Sequence, residues 1–326
     1  MAAGIKTWLW HALRFGVCAV ALVWVFNRIE WSNLTRVWAD SDKKMVAVAF
    51  LIFLPTPILQ SIRFVWMLKA QDITISYWES LKLSYTGNFF NNFVPAGAVG
   101  GDVVKAYYVA QHTDQKTEAV TAVLLDRAVG LLSLALFAAG GLALRFDDKT
   151  RAVTLWLAVL LSALAFGAAI VFSRRLRSLF RLEEIAARLP LAAQVQRIGR
   201  ATLRLREHKS ITLAALLSTF VLQAFVLVSG GVAAIGLGMK PDMVAYFAYL
   251  SIALIVAAIP ISPGGLGTME ATMAVFLVDE FGVFGQVILL ALTIRAIQLF
   301  WALPGGVAYL TGACRPDPAK LAQLST

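Results

Sequence analysis

The stretch NFVPAGAVGGD, from Asn92 to Asp102, decides how this chain folds. It lies in a very hydrophobic sequence, yet it carries a proline, three glycines and an aspartate. Proline removes a backbone donor and interrupts a helix, while glycine adopts backbone angles that other residues avoid. The stretch therefore predicts a break in a helix with a carboxylate just beyond it.

The composition around this break is that of an all-α polytopic membrane protein. Of the 326 residues, 59% are hydrophobic and 15% are charged. Several apolar runs reach the roughly 20 residues needed to cross a bilayer core of about 30 Å. In such a chain the net charge of +10 indicates cytoplasmic loops and anionic headgroups, not nucleic acid. We predict six full spanning helices, at 8–26, 44–63, 118–144, 152–173, 210–238 and 285–311.

Basic residues orient the chain in the membrane. The segment 174–209 carries ten Lys and Arg residues against three Glu, so it is predicted to be cytoplasmic. The regions 77–110 and 242–281 are apolar but interrupted by Pro and Gly, and we interpret both as re-entrant hairpins. Six full spans and two hairpins form a single transmembrane domain, 1–326. With loop 174–209 inside, both termini of this domain are predicted to lie in the cytoplasm.

A second broken stretch, IPISPGGLGTME at 259–270, lies 168 residues after the first. The two registers share four kinds of residue, as Pro95 aligns with Pro263, Gly97 with Gly265, Asp102 with Glu270, and Arg127 with Arg295. We predict two inverted half-repeats, about 44–144 and 212–311, joined by the cytoplasmic loop 174–209. Paired Pro/Gly-interrupted segments in inverted halves indicate a binding site near the bilayer midplane.

The repeat puts one arginine of each half deep in the membrane. Arg127 and Arg295 lie about 14 and 15 Å along their predicted helices, where a charge is costly and indicates function. Each guanidinium either binds an anionic phosphate or carboxylate or pairs with Asp102 or Glu270, and Asp126 is also near. The two acids at the breaks have further interpretations, as caps of helix N-termini or as sites for a coupling proton.

Polar residues beside the first break are candidates for the same site. Lys105 shares a helix face with Asp102, and either holds a headgroup or neutralises that carboxylate. Asn92, together with Asn88 and Asn91, either satisfies backbone groups left by the break or lines the cavity.

The loops at the breaks have their own predicted roles. Pro95 and Pro263 end helices, and Gly97, Gly264 and Gly265 permit tight turns. The amides freed by each break, with the N-terminus of the following helix, can then face an anion.

The sequence gives no sign of catalysis. The histidines His11, His112 and His208 lack ligand spacing with carboxylates or cysteines, so we predict no metal site. Neither a nucleophile elbow nor a P-loop occurs. We therefore expect a protein that is not an enzyme and uses no cofactor.

Three motifs resemble a known family. NNFVPAGAVGGDVVKAY, LLDRAVGL and IPISPGGLGTMEA, in this order, resemble the transmembrane region of lysylphosphatidylglycerol synthases and related stand-alone flippase-like proteins. The resemblance implies re-entrant segments, a bacterial inner membrane, and movement of a lipid with a charged or phosphorylated headgroup between leaflets. The family commonly has Arg where Lys105 stands. By position it implies functional roles for Asp102, Lys105, Asp126, Arg127, Pro263, Gly264, Gly265 and Glu270.

The leading hypothesis is a flippase-like transporter of an anionic, phosphate-bearing or glycosylated lipid, whose headgroup is held by Arg127 and Arg295. Because the sequence stops at Thr326, soon after the last predicted span, we do not expect the activity of the soluble synthase domain. The alternatives are an ion-coupled transporter of a small soluble anion, an enzyme acting on lipid phosphate, and a scaffold for lipid-synthesis enzymes. Gly-Gly pairs in the spans also permit contact with a second copy of the chain.

Overall fold

The architecture comes from a computed structural model, which describes residues 31–93, 100–111, 113, 115–144, 155, 209–259, 262–278 and 280–312. The all-α class is confirmed for these residues, in which no strand forms. The helices are α1 (Trp31–Asp40), α2 (Lys43–Phe53), α3 (Pro55–Lys69), α4 (Tyr77–Phe93), α5 (Gly100–Gln111), α6 (Lys116–Leu144), α7 (Lys209–Gly236), α8 (Met243–Ala258), α9 (Thr268–Leu277) and α10 (Phe284–Leu310), with a 3-10 turn at Pro263–Gly265 before α9.

Within the described residues, four helical segments are long and apolar enough to cross a membrane. They have 27 to 29 residues each, or about 40 Å at 1.5 Å per residue, and four predicted spans fall on them. The predicted spans 8–26 and 152–173, and the loop from 174 to 208, lie outside the described residues. The four segments are Lys43–Lys69 (α2 and α3 together), Lys116–Leu144, Ser210–Gly236 and Phe284–Leu310.

The helices on either side of the two breaks are short and form two pairs, of which α8 and α9 are apolar. Helices α4, α5, α8 and α9 have 17, 12, 16 and 10 residues, so none reaches the roughly 30 Å of a bilayer core. Between α8 and α9 the backbone has positive φ at Gly264, Gly265 and Gly267, which L side chains avoid. The helix is thus interrupted at the predicted glycines. The matching loop after α4, with Pro95 and Gly97, lies outside the described residues.

Close helix contacts join the two halves of the chain. Helix α10 packs along α4, α6 along α8, and α7 against α2 and α3. A Cβ added at Gly305 of α10 would lie 1.9 Å from the carbonyl oxygen of Tyr85 in α4. One added at Gly141 of α6 would lie 2.7 Å from the carbonyl oxygen of Val244 in α8. Such approach at glycine is how helices gain packing energy in lipid.

The close contact at Gly305 predicts that adding one methyl group there strongly lowers the stability of the protein. Gly305→Ala forces α4 and α10 apart, so we expect the free energy of unfolding to fall by about 3 kcal/mol, the upper end for overpacking. At Gly140 an added Cβ meets no atom within 4 Å, so Gly140→Ala should stabilise by about 0.5–1 kcal/mol through helix propensity. Unfolding of both variants in the same detergent measures the difference, and equal effects would contradict the packing of α4 on α10.

Candidate functional site

A cavity of about 310 Å³ lies among the helices, and both broken pairs and all four long segments contribute to its wall. The wall combines charged, amide and apolar side chains. Its charged residues are Arg63, Asp102, Lys105, Asp126, Arg127 and Arg295. Its amide residues are Gln60, Asn88, Asn91, Asn92, Gln223 and Gln298. The large apolar residues include Phe53, Leu131, Leu222, Leu254 and Trp301.

Arg127 of α6 pairs with Asp102 of α5. The distance from Arg127 Nε to Asp102 Oδ2 is 3.3 Å, and the arginine side chain is 32% exposed. The pair is therefore longer and more accessible than the other ion pairs of the cavity. An anion in the cavity could therefore reach this guanidinium in competition with Asp102.

Arg295 of α10 is held much more tightly. Its Nε donates a short hydrogen bond to Glu270 of α9, and its Nη1 and Nη2 donate to the carbonyl oxygens of Gly264 and Gly265 at 3.1 and 2.6 Å. Glu270 also accepts the N–H of Gly267 at 2.8 Å. The guanidinium thus satisfies carbonyls that the broken helix leaves without helical partners, and it ties the glycine turn to α10.

A third ion pair, between Arg63 of α3 and Asp126 of α6, links three long segments. Arg63 Nε donates to Asp126 Oδ1 at 2.7 Å, and Nη1 donates to Thr219 Oγ1 of α7 at 3.1 Å. The two side chains are only 6% and 10% exposed. Sequence reasoning missed Arg63, because the predicted span 44–63 ended on it. The helix in fact continues to Lys69, which puts Arg63 inside the protein.

Lys105 of α5 brings a fourth cation to the cavity. The residue is 2% exposed, and its Nζ lies 4.6 Å from the centroid of the Phe64 ring. Among the described residues, no carboxylate oxygen lies within the 4.0 Å of a salt bridge to this ammonium. Lys105 therefore does not form an ion pair with Asp102.

The three asparagines before the first break combine both predicted roles. All of them line the cavity. Asn91 Oδ1 accepts the backbone N–H of Gly101 at 2.8 Å, Asn92 Nδ2 donates to the carbonyl of Asn88 at 2.8 Å, and Asn88 Nδ2 donates to Gln60 Oε1 at 2.9 Å. Asn92 and Asn91 therefore satisfy backbone groups of α4 and α5, respectively, and Asn88 bonds a side-chain amide.

Among the described residues around the cavity, basic side chains outnumber carboxylates. Four basic side chains, Arg63, Lys105, Arg127 and Arg295, stand against three carboxylates, Asp102, Asp126 and Glu270, at or directly behind the wall. An unbalanced charge in an apolar interior is costly unless something compensates for it. The arrangement is thus suited to binding an anion. Within the described part of the chain, no group of three His, Cys, Asp or Glu could hold a metal ion.

The sequence model of the family "Lysylphosphatidylglycerol synthase TM region" matches residues 11–305. The chain belongs to this family. The resemblance predicted from the three motifs is therefore confirmed, and with it a membrane protein of a family linked to lipid handling. A UPF0104 membrane protein of Pyrococcus horikoshii is 22% identical, over 91% of this chain and 96% of the relative.

Most of the predicted site residues meet at this cavity. Glu270 and Gly265 accept hydrogen bonds from Arg295. Pro263 begins the 3-10 turn. Pro95 and Gly97 lie outside the described residues. The candidates that line the cavity directly are Asn92, Asp102, Lys105, Asp126, Arg127, Gly264 and Arg295.

The two arginines of the first half should differ in their contribution to stability. Asp126→Asn leaves the charge of Arg63 buried without a counterion, because arginine does not deprotonate, and we expect a loss of about 3–5 kcal/mol. Arg127→Gln breaks a partly exposed pair and should cost about 1 kcal/mol or less. Unfolding in mixed micelles measures both values.

A double variant separates the buried charge from simple damage to packing. Arg63→Met with Asp126→Leu removes both charges and fills similar volume, so it should regain most of the stability lost by Asp126→Asn. A double variant as unstable as the single one would contradict the assignment of a buried ion pair.

Proposed function

We propose that the protein is a flippase-like transporter that moves an anionic, phosphate-bearing or glycosylated lipid between membrane leaflets. The observation that carries the proposal is the positively charged cavity, lined by both broken helix pairs inside an apolar protein. A lipid phosphate that enters the cavity compensates for the excess charge. In this proposal the cavity binds and moves the lipid and carries out no reaction on it.

The two broken pairs, α4–α5 and α8–α9, are in this proposal the re-entrant hairpins of inverted half-repeats. The shift of 168 residues that aligns the sequences also relates the contacts. It maps the packing of α10 on α4 onto that of α6 on α8. It also maps the salt bridge of Arg127 with Asp102 onto that of Arg295 with Glu270. Both correspondences support a repeat whose halves meet at the binding site.

The two arginines of the repeat have different roles in this proposal. Arg295 already donates to Glu270 and to two carbonyls, so it holds the wall of the cavity. Arg127 has a longer ion pair and is accessible, so it receives the phosphate. Since a guanidinium binds a phosphate in a bidentate manner, the ligand competes with Asp102. The released carboxylate is then able to take a coupling proton.

Two features favour a lipid over a small soluble anion. Large apolar side chains, among them Leu222, Leu254 and Trp301, share the cavity with the charges, which suits an amphiphile. The volume of about 310 Å³ is at the lower end of the range for ligand pockets. It accommodates a headgroup, and the acyl chains stay in the surrounding bilayer. We place the protein in the bacterial cytoplasmic membrane with both termini in the cytoplasm.

Vesicles that contain the purified protein test the proposal. A fluorophore on an acyl chain of phosphatidylglycerol is bleached by dithionite only in the outer leaflet, so bleaching of the inner half reports movement between leaflets. In vesicles that contain the parent protein, dithionite should bleach this inner half faster than in empty vesicles. Arg127→Gln should slow the movement between leaflets about tenfold or more, because the variant loses a charged hydrogen bond to the phosphate.

The exposed Arg36 of α1 provides the matched control, and Arg36→Gln should transport like the parent. Bleaching no faster than in empty vesicles would contradict the transporter proposal. Uptake of radiolabelled inorganic phosphate with no lipid movement would instead favour the soluble-anion alternative.

A further inference from the structure

Lys105 is a buried basic side chain that forms no salt bridge with any described carboxylate. It is 2% exposed and lines the cavity. The Phe64 ring, 4.6 Å away, stabilises the ammonium only in part. A buried polar group without a hydrogen-bonding or ionic partner requires an explanation. A negatively charged ligand that binds in the cavity would be that partner.

The surrounding helices fix Lys105 in this position. Its aliphatic stem lies against Gly87 of α4, where an added Cβ would be 3.1 Å from Cγ and Cε of the lysine. The absence of a side chain at Gly87 thus leaves the groove in which the stem runs. With Phe64 beside the ammonium, the charge is presented at the cavity before a ligand arrives, which reduces the entropy lost on binding.

The balance of charge specifies how much negative charge the ligand carries. Among the described residues, with all seven groups ionised, the cavity has one excess positive charge, so one negative charge neutralises it. A phosphodiester supplies one, whereas a phosphomonoester carries about −1.5 to −2 at neutral pH. A headgroup that adds an ammonium would place a cation beside Lys105, Arg127 and Arg63, at a cost in repulsion.

The amide wall specifies the rest of the headgroup. Gln223 of α7 and Gln298 of α10 line the cavity, and their side chains make no hydrogen bond within the described residues. Each offers a carbonyl oxygen as acceptor and an NH₂ group as donor. Hydroxyl groups, which both donate and accept, match these amides without adding charge.

From these observations we propose that the site selects a lipid phosphodiester with one negative charge and an uncharged, hydroxyl-bearing headgroup, and that Lys105 determines this specificity by binding the phosphate. The inference rests on the proposed function and specifies its substrate class. Aminoacylated phospholipids, whose headgroups carry an ammonium, are poor ligands of this chain.

Native mass spectrometry of the full chain in detergent measures the selectivity directly. Three lipids with identical acyl chains serve as probes: phosphatidylglycerol, phosphatidic acid and lysylphosphatidylglycerol. We expect phosphatidylglycerol to bind at least tenfold more tightly than either of the others. Equal binding of all three, or tighter binding of the phosphatidic acid or the lysyl lipid, would overturn the proposal.

Soluble competitors distinguish a lipid headgroup from free phosphate. Glycerophosphoglycerol has the phosphodiester and the hydroxyls without acyl chains, and it should displace phosphatidylglycerol at lower concentration than inorganic phosphate does. Displacement at equal concentrations would show that the hydroxyl-bearing headgroup is not recognised, which would refute that part of the proposal.

Variants at position 105 test the residue itself. Lys105→Met should weaken binding of phosphatidylglycerol at least tenfold while the midpoint of thermal unfolding stays equal or rises, because a buried amine without a salt bridge is replaced by an apolar side chain. Lys105→Arg should restore most of the binding, and Gly87→Ala, which displaces the stem, should reduce it with the charge kept. The exposed Lys82 supplies the control, and Lys82→Met should bind like the parent.

The outcomes of binding and transport separate the two proposals. Selective binding of phosphatidylglycerol in a protein that moves no lipid would refute the transporter and leave the ligand class standing. Movement of all three lipids at one rate would support the transporter and refute the selectivity. Unchanged binding by Lys105→Met would refute the role of Lys105.

Discussion

A backbone that breaks inside an apolar protein must find new partners for its peptide groups, and the guanidinium of Arg295 supplies them. It donates to the carbonyls of Gly264 and Gly265 and is neutralised by Glu270. Glu270 in turn accepts the N–H of Gly267 at the start of α9. One buried ion pair thus satisfies the turn and ties it to α10. Because that wall of the cavity is fixed, the charges opposite it keep a defined geometry.

The first half of the chain uses different contacts around an equivalent pair. Asn91 accepts the N–H of Gly101 at the start of α5, whereas in the second half Glu270 itself accepts the N–H of Gly267. Asp102 and Arg127 therefore form a longer and more accessible pair, and the buried Arg63 pairs with Asp126 instead. This asymmetry gives the proposed site one half that holds the cavity together and one half that can exchange partners with a ligand.

Sequence reasoning identified the elements of this site that follow local rules. Apolar runs gave four spans, and Pro and Gly marked the second break. The alignment of the two halves identified Arg127 and Arg295, because each lies 25 residues after the acidic residue at its break, Asp102 or Glu270. Arg63 was missed, since its partners are 63 and 156 residues away and such contacts leave no periodic signal. For the same reason, the groove that Gly87 leaves for Lys105 becomes visible only when α4 and α5 pack together.

The central claim is that the cavity holds a lipid phosphate, and the lipids that remain bound through purification test it most directly. The parent and Arg127→Gln are purified from the same type of cell, and mass spectrometry measures the lipids extracted from each protein. The lipid composition of each extract is then compared with that of the bulk membrane. The account predicts that one phosphate-bearing lipid class is enriched in the parent and lost in the variant. Extracts with the same lipids in the proportions of the membrane, for both proteins, would contradict it.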